Sequence, residues 1–332
     1  MKRYFLCYSI FLMSVFLSIK GHAQVQPTQL DSKAKKQVIE QICEGLKSNY
    51  IFLDTALRMN SFIRQQFSAG AYDTIKNPTV FASTLTKDLR SVYHDIHMSI
   101  RYDPLFQVAS DKKDPDAEKQ LQQRRLNFRK RMNFGFDKVE MLPGNIGYLK
   151  MNGFFELDDD TKAMALAALR FVSNSHVLII DLRNNMGGEP STVSFICSFF
   201  FKNKTHLNDL YSRRDKSLTP YWTTPDSLFS GLNTVPIYVL TSRETYSGSE
   251  ELTYDLQTQK RATIIGDTTG GGAHPVEPHA VGSGIVANIP YARAINPITK
   301  TNWEGTGVIP DIKTAPENAL DTALNMIKNN GH

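Results

Sequence analysis

The sequence is poor in cysteine, with three in 332 residues, and Cys7 falls inside an apolar amino-terminal run. Cys43 and Cys197 sit in apolar contexts that predict burial, and no tight His/Cys/Asp/Glu ligand spacing stands near them. A disulfide framework and a structural zinc motif are therefore excluded, and neither metal nor cofactor is expected. Charge of one sign is also scarce. Removing Lys2, Arg3 and Lys20 from a formal net charge of +5 leaves +2. That balance gives no electrostatic case for nucleic acid or an anionic membrane as partner. There is no internal repeat and no low-complexity tract.

One apolar stretch, residues 4–19, follows Lys2 and Arg3 and precedes Gly21-His22-Ala23. A basic start, a short apolar run and small residues at a cleavage site form the layout of a secretory signal peptide, expected over residues 1–23. The run is short for a bilayer core of ~30 Å, so no stable membrane insertion is expected after cleavage. No cysteine follows it to carry a lipid anchor. The expected location is the periplasm or the exterior of a bacterial cell. The 309 residues after position 23 suffice for a large core, usually divided among more than one domain.

Residues 24–103 read as a small helical domain. Val38, Ile42 and Leu46 recur at four, with Asp31 or Ser32 as cap. Further helical runs span 53–67 and 78–92. Residues 104–135 form a charged connecting segment, with a loop expected at 111–116 and a basic, solvated face at Arg124, Arg125, Arg129, Lys130 and Arg131. From 136 to 332 short apolar strands alternate with helices. Strands are expected at 139–142, 146–151, 177–182, 235–240 and 262–265, and helices at 161–171 (capped by Asp160), 192–201 and 250–259. Fully apolar strands separated by helices predict an α/β core with a covered, mostly parallel sheet.

Chemistry concentrates at Thr245-Tyr246-Ser247-Gly248-Ser249-Glu250-Glu251, a strand-to-helix turn. A serine there can project its hydroxyl beside helix N-terminal N–H groups that lack internal partners and suit a developing oxyanion. The apolar strand at 177–182 runs into Arg183-Asn184-Asn185-Met186-Gly187-Gly188. Paired glycines after a strand allow a sharp turn that exposes further N–H groups, and Asp181 with Arg183 is expected to brace it.

Four motifs occur in order: Asp181-Leu182-Arg183-Asn184-Asn185-Met186-Gly187-Gly188, Tyr246-Ser247-Gly248-Ser249-Glu250-Glu251, Gly266-Asp267-Thr268-Thr269-Gly270-Gly271-Gly272, and Glu304-Gly305-Thr306-Gly307-Val308-Ile309-Pro310-Asp311. Together they resemble the C-terminal-processing, or tail-specific, serine peptidases. Within them the chain is most similar to the branch holding the interphotoreceptor retinoid-binding protein repeats and the tricorn protease core. Asn49-Tyr50-Ile51-Phe52 and His94-Asp95-Ile96-His97 fit that branch as well. The resemblance implies an α/β fold with a crotonase/ClpP-like ββα-spiral core and a small N-terminal helical bundle. It also implies a serine endopeptidase acting on peptides or unfolded proteins.

The family's dyad version takes its base from a Gly-Lys-Gly lysine 25 residues after the nucleophile; here that position is Gly272. The tricorn-like version uses a histidine ahead of the core and a glutamate near the C-terminus, which His97 and Glu304 match. The resemblance thus implies Ser247 as nucleophile, His97 as base, Glu304 as orienting acid, and the N–H groups of Gly187 and Gly248 as oxyanion hole. Ser249 competes as nucleophile, and His274 or His279 as base. His94 reads as scaffold, and Glu250 and Glu251 as favouring a helix N-terminus. About 40 residues separate Tyr102 from Ile146, too few for the PDZ module of many relatives. The same fold also admits a non-catalytic carrier of apolar, retinoid- or fatty-acid-like ligands, and acyl-CoA chemistry conflicts with export.

Overall fold

The computed structural model describes residues 29–112, 114–225 and 231–331. The expected signal peptide at 1–23 lies outside the described residues. Among the described residues no helix is long and apolar enough to cross a membrane.

Three helices open the chain: α1 Ser32–Asn49, α2 Leu53–Ser68 and α3 Pro78–Val92. Asp31 caps α1, its carboxylate accepting the Ala34 N–H at 2.7 Å, and Asn77 caps α3 through the Thr79 and Val80 N–H groups. The expected stripe of Val38, Ile42 and Leu46 is buried against Met59 and Ile63 of α2 and Phe81, Leu85 and Leu89 of α3. Strand β1, Ser99–Tyr102, follows at once. The segment expected to be a charged connector is largely helical, as α4 Pro104–Lys112 and α5 Pro115–Arg131. The loop expected at 111–116 shrinks because Asp114 caps α5 and Pro115 fits its first turn. Arg124 and Arg129 of the basic face pair with Asp103 and Asp158.

The hairpin β2 Phe136–Leu142 and β3 Ile146–Met151 turns through Gly144 and Asn145, both at positive φ. Then come α6 Asp159–Phe171, β4 Val177–Asp181, α7 Pro190–Cys197, β5 His206–Ser212, β6 Ser217–Trp222, β7 Ile237–Thr241, α8 Gly248–Thr258 and β8 Ala262–Gly266. Helix α6 is capped by Asp158, not Asp160: the Asp158 carboxylate accepts the Thr161 N–H at 2.9 Å. Last are β9 Val276–Ala280, β10 Ile285–Pro290, β11 Ala292–Ile295, β12 Ile312–Lys313 and α9 Ala319–Asn329.

The main sheet has the order β12-β8-β7-β4-β3-β2, parallel except at the β2 edge. Its central strands β4 and β7 are buried at every position because both faces are covered there, while the edge strands β2 and β12 carry exposed charged residues. Leu178, Ile180, Val239 and Ile264 pack toward α6, α7 and α8. Val177, Ile179, Leu240 and Ile265 pack toward Ala319, Ala323 and Ile327 of α9. Cys43 and Cys197 are buried and free, as expected.

Two small antiparallel sheets, β1-β10-β9 and β11-β5-β6, complete the molecule. The first has a structural consequence for the site. Residues 99–102 pair with 285–288, so the chain just after His97 is fixed to the far part of the sequence. Helix α1 closes on the same strand at Gly45, where a Cβ would lie 2.7 Å from Ile289 Cδ1.

Ile289 is fully buried in the cluster that joins the helices to β10. Ile289→Ala should therefore destabilise the protein by about 2–5 kcal/mol through lost burial and the cavity left behind. Urea unfolding monitored by circular dichroism checks this; a midpoint equal to wild type would show that this joint carries little of the stability.

Candidate active site

Strand β7 ends at Thr241, and the chain turns through residues 242–247 before α8 begins. Ser247 holds φ 57° and ψ −123°, a strained setting for a residue with a Cβ, of the kind that recurs at functional turns. The surroundings enforce it. Tyr246 N–H donates to Asn185 O at 3.0 Å and to Ser249 Oγ at 2.7 Å, and Thr245 Oγ1 donates to Leu182 O at 2.8 Å. Gly187 meets the turn so closely that a Cβ there would lie 2.4 Å from Tyr246 O. Asp181 and Arg183 brace the glycine loop as expected, through Arg183 Nε to Asp181 Oδ1 at 2.9 Å and Arg183 Nη2 to Oδ2 at 2.6 Å.

Ser247 Oγ meets His97 Nε2 at 2.9 Å, across 150 residues of sequence. The His97 loop is held from three sides. Its own N–H donates to Asp95 Oδ1 at 3.1 Å, and the Arg90 guanidinium donates to Met98 O at 2.8 Å and to Ile96 O. Pairing of β1 with β10 fixes the chain beyond. Burial pushes the His97 pKa down to about 4, with the Asp95 charge pulling the other way. The ring is then neutral at working pH. The other ring nitrogen, Nδ1, lies 3.0 Å from Tyr246 Oη, with the rings tilted 30° and 4.7 Å apart. Either tautomer fits these two contacts, and only the one with its proton on Nδ1, donating to Tyr246, leaves Nε2 to accept from Ser247 as a base must.

Glu304 is not on the His97 ring. Its Oε2 accepts the Ala273 N–H at 2.6 Å and lies 3.4 Å from His274 Nδ1. Its partners instead lie in the segment that leads into β9, the Ala273 N–H and the His274 ring. His274 is buried and its Nδ1 meets Asp95 Oδ2 at 3.0 Å, where Tyr50 Oη also donates at 2.9 Å. Asp95, His274 and Glu304 thus offer three ligand atoms within 4.8 Å of one another, a geometry able to hold a metal ion. Burial, and then the charge of Glu304, push the Tyr246 hydroxyl well above its ordinary range, so it stays protonated.

The remaining residues fall as follows. Gly187 N–H is taken by Asn185 Oδ1 at 2.8 Å, because the Asn185 side chain folds back beneath the loop. Gly248 N–H opens α8 with no helical partner, beside Gly188. Ser249 is buried, its Oγ spent on Asn185 O and Tyr246 O. His94 is exposed, and His279 lies on β9 with Nε2 unpartnered among the described residues. A cavity of about 360 Å³ opens beside Ser247, within the range of small-molecule and side-chain pockets.

Tyr246 and Glu250 carry roles that sequence reasoning missed. Glu250 does more than favour a helix N-terminus. Its carboxylate accepts N–H groups of Ser247 at 2.9 Å, Gly271 at 2.6 Å and Gly272 at 2.8 Å, and the Thr269 hydroxyl. Burial pushes this carboxyl up to about 7, against those four hydrogen bonds. The glycines supply the matching clearance: a Cβ on Gly272 would lie 2.3 Å from Tyr246 Oη. The loop that holds a lysine in the dyad version is here pinned to the nucleophile turn by a buried acid.

Comparison with known proteins bears on the family and the fold. The model of Peptidase family S41 matches residues 145–314, and that of the N-terminal domain of peptidase S41 in eukaryotic IRBP matches residues 30–143. Among solved structures, a candidate peptidase of Parabacteroides merdae superposes with TM-score 0.61 at 17% identity, covering 88% of this chain and 96% of that one. A lipoprotein from Streptococcus agalactiae gives 0.60 at 14% identity over 90% of this chain and 97% of the other. The tricorn protease gives 0.55 at 14% identity over 89% of this chain and 36% of its own. At these identities the likenesses show the shared fold: a helical N-terminal region and a central mixed sheet.

Glu250→Gln keeps the shape but turns an NH2 group toward donors that expect an acceptor. Each buried N–H left unpaired costs about 1–3 kcal/mol, so the variant should melt well below wild type. Faster proteolytic nicking is expected within residues 269–273. Wild-type melting and nicking would show that the acid does not hold this loop.

Proposed function

The chain belongs to peptidase family S41 and is a serine-type peptidase, and we propose that it cleaves peptides or unfolded proteins through an acyl-enzyme on Ser247. The observation that carries this reading is the 2.9 Å contact of Ser247 Oγ with His97 Nε2. A serine hydroxyl is a weak nucleophile at neutral pH and needs an adjacent base to take its proton. His97 Nε2 takes that proton as Oγ attacks the peptide carbonyl, and returns it to the leaving amine as the C–N bond breaks. Water, deprotonated by the same nitrogen, then attacks the ester, and the acid product leaves with Ser247 restored.

The other groups serve this cycle. Tyr246 Oη accepts from His97 Nδ1 and keeps the ring turned toward Ser247. Glu304 acts one step out: it fixes the segment at Ala273 and His274 and sets negative charge near the Tyr246 hydroxyl, which favours the imidazolium formed during attack. Gly248 N–H and the facing Gly188 N–H serve the oxyanion, Gly188 in place of the occupied Gly187. Losing one such donor typically costs about 3 kcal/mol of transition-state stabilisation. The substrate enters through the cavity at Ser247, since the segment between Tyr102 and Ile146 is too short to hold a PDZ module that would present it. Export from the cytoplasm follows from the signal-like pattern of residues 1–23.

Ser247→Ala tests the reading directly on an unfolded protein substrate, with cleavage followed by mass spectrometry. Loss of at least about 10³-fold in kcat is expected, as for other nucleophile replacements; unchanged cleavage would remove Ser247 from the mechanism. Tyr246→Phe should lower kcat by about 10- to 100-fold, the scale of lost orienting partners, with KM little changed. A kcat equal to wild type would pass the orienting role to another group.

The pH profile adds a signed test. His97 must be unprotonated to accept the Ser247 proton, and its pKa is depressed to about 4. The acid limb of kcat/KM should therefore lie well below the ordinary histidine value of about 6.5. An acid limb at or above that value would contradict the buried, neutral base.

A further inference from the structure

The cavity beside Ser247 has an acidic interior that the reaction cycle does not use. Its walls are apolar and aromatic, with Leu210, Tyr221, Tyr291 and Trp303 among them. The charged groups among its lining residues are Glu251, buried at 4% exposure, and Glu189, exposed at the mouth. No lysine, arginine or histidine lines it among the described residues. Glu251 follows Ser247 by four positions, so it lies one helical turn along the same face of α8. Its placement inside the cavity is therefore tied to that of the nucleophile.

The Glu251 carboxylate is poorly served by the protein. Oε1 meets Asn208 Nδ2 at 3.4 Å, and no cation pairs with it among the described residues. One turn further, Asp255 is fully buried, and burial together with the Glu251 charge pushes its carboxyl well above the ordinary range. Asp255 is thus the neutral acid of the row, while burial pushes the Glu251 carboxyl up to about 7, so a cation brought beside it draws it into the charged form. Buried carboxylates are normally paired, so this one is built for a cation that arrives with a ligand. The aromatic walls fit the rest of such a ligand, since an aliphatic stem packs against apolar surface while its charged head goes on to the acid.

We propose that this cavity receives the substrate side chain on the acyl side of the cleaved bond, and that Glu251, with Glu189 at the mouth, selects lysine or arginine there. The assignment rests on Ser247 being the nucleophile, since that sets which substrate residue enters. Selectivity comes from the charge at the end of the stem, and the apolar walls contribute equally to a neutral stem of the same length.

The test separates the pocket from the chemistry by using Ser247→Ala protein, which cannot turn over. Acetylated tripeptides ending in lysine, arginine or norleucine, the form of the acyl-side product, are titrated calorimetrically. Lysine and arginine peptides should bind at least about tenfold more tightly than norleucine, in keeping with a buried charge pair. Adding Glu251→Gln should erase that preference and leave norleucine affinity unchanged. Equal affinities in the Ser247→Ala protein, tighter norleucine binding, or no binding of any peptide would each overturn the assignment without needing the second variant. Labelling of wild-type Ser247 by a fluorophosphonate reports separately on the nucleophile. Absent labelling with retained lysine preference would sink the catalytic reading and leave the acidic pocket standing.

Discussion

The pairing of β1 with β10 is the constraint on which the site depends. His97 and Ser247 are 150 residues apart, and a 2.9 Å contact between them tolerates little error in how the helical region sits on the sheet. Four antiparallel pairs, residues 99–102 against 285–288, fix the chain two residues after His97. Helix α1 seals the joint from behind at Gly45 and Ile289. The imidazole is therefore positioned by backbone pairing and buried apolar contact, the stiffest elements available, while Arg90 and Asp95 settle the short loop that carries it.

The opposite wall is held by charge. Ser247 occupies a strained backbone setting, and Glu250 offsets the cost by collecting the Ser247 N–H together with donors from residues 269–272. One buried carboxylate thus joins the nucleophile turn to the loop that shapes the cavity and passes Tyr246. Farther out, Asp95, His274 and Glu304 link the N-terminal region, the segment leading into β9 and the C-terminal turn. These acids sit in layers behind the reacting pair, so the negative charge available to an imidazolium comes from several carboxylates and not from one in direct contact.

Much of this was legible in the sequence, for identifiable reasons. The strands at 146–151 and 177–182 announced themselves because the inner strands of a sheet covered on both faces are mostly apolar, and Asp31 declared the start of α1. Motif order pointed to Ser247 and the tricorn-like resemblance to His97, which the fold brings to 2.9 Å of each other, and the paired glycines pointed to the turn at Gly187. Strands β1, β5, β6, β9, β10 and β11 were missed because they form small antiparallel sheets whose residues mix polar and apolar without a clean period. The helices α4 and α5 were read as connector because their exposed faces are charged. Tyr246 was passed over as an ordinary neighbour of the serine; only its contact with His97, across 149 residues, reveals it. Glu304 was expected on the His97 ring, and sequence order could not show that its carboxylate meets the Ala273 N–H and the His274 ring instead. One signal was available and unused: Ser247, Glu251 and Asp255 recur at four, which places a row of acids along the nucleophile's own helix face.

The central claim is that folding delivers a neutral His97 imidazole, protonated on Nδ1, to the Ser247 hydroxyl. Nitrogen-15 magnetic resonance of histidine-labelled protein reads this most directly, because the two ring nitrogens report tautomer and charge separately through a pH titration. The account predicts a His97 signal set that remains neutral from pH 8 down past about 5, with the proton on Nδ1, and that shifts when Ser247 is replaced by alanine. A ring that charges near its ordinary pKa, carries its proton on Nε2, or ignores the loss of Ser247 would contradict it.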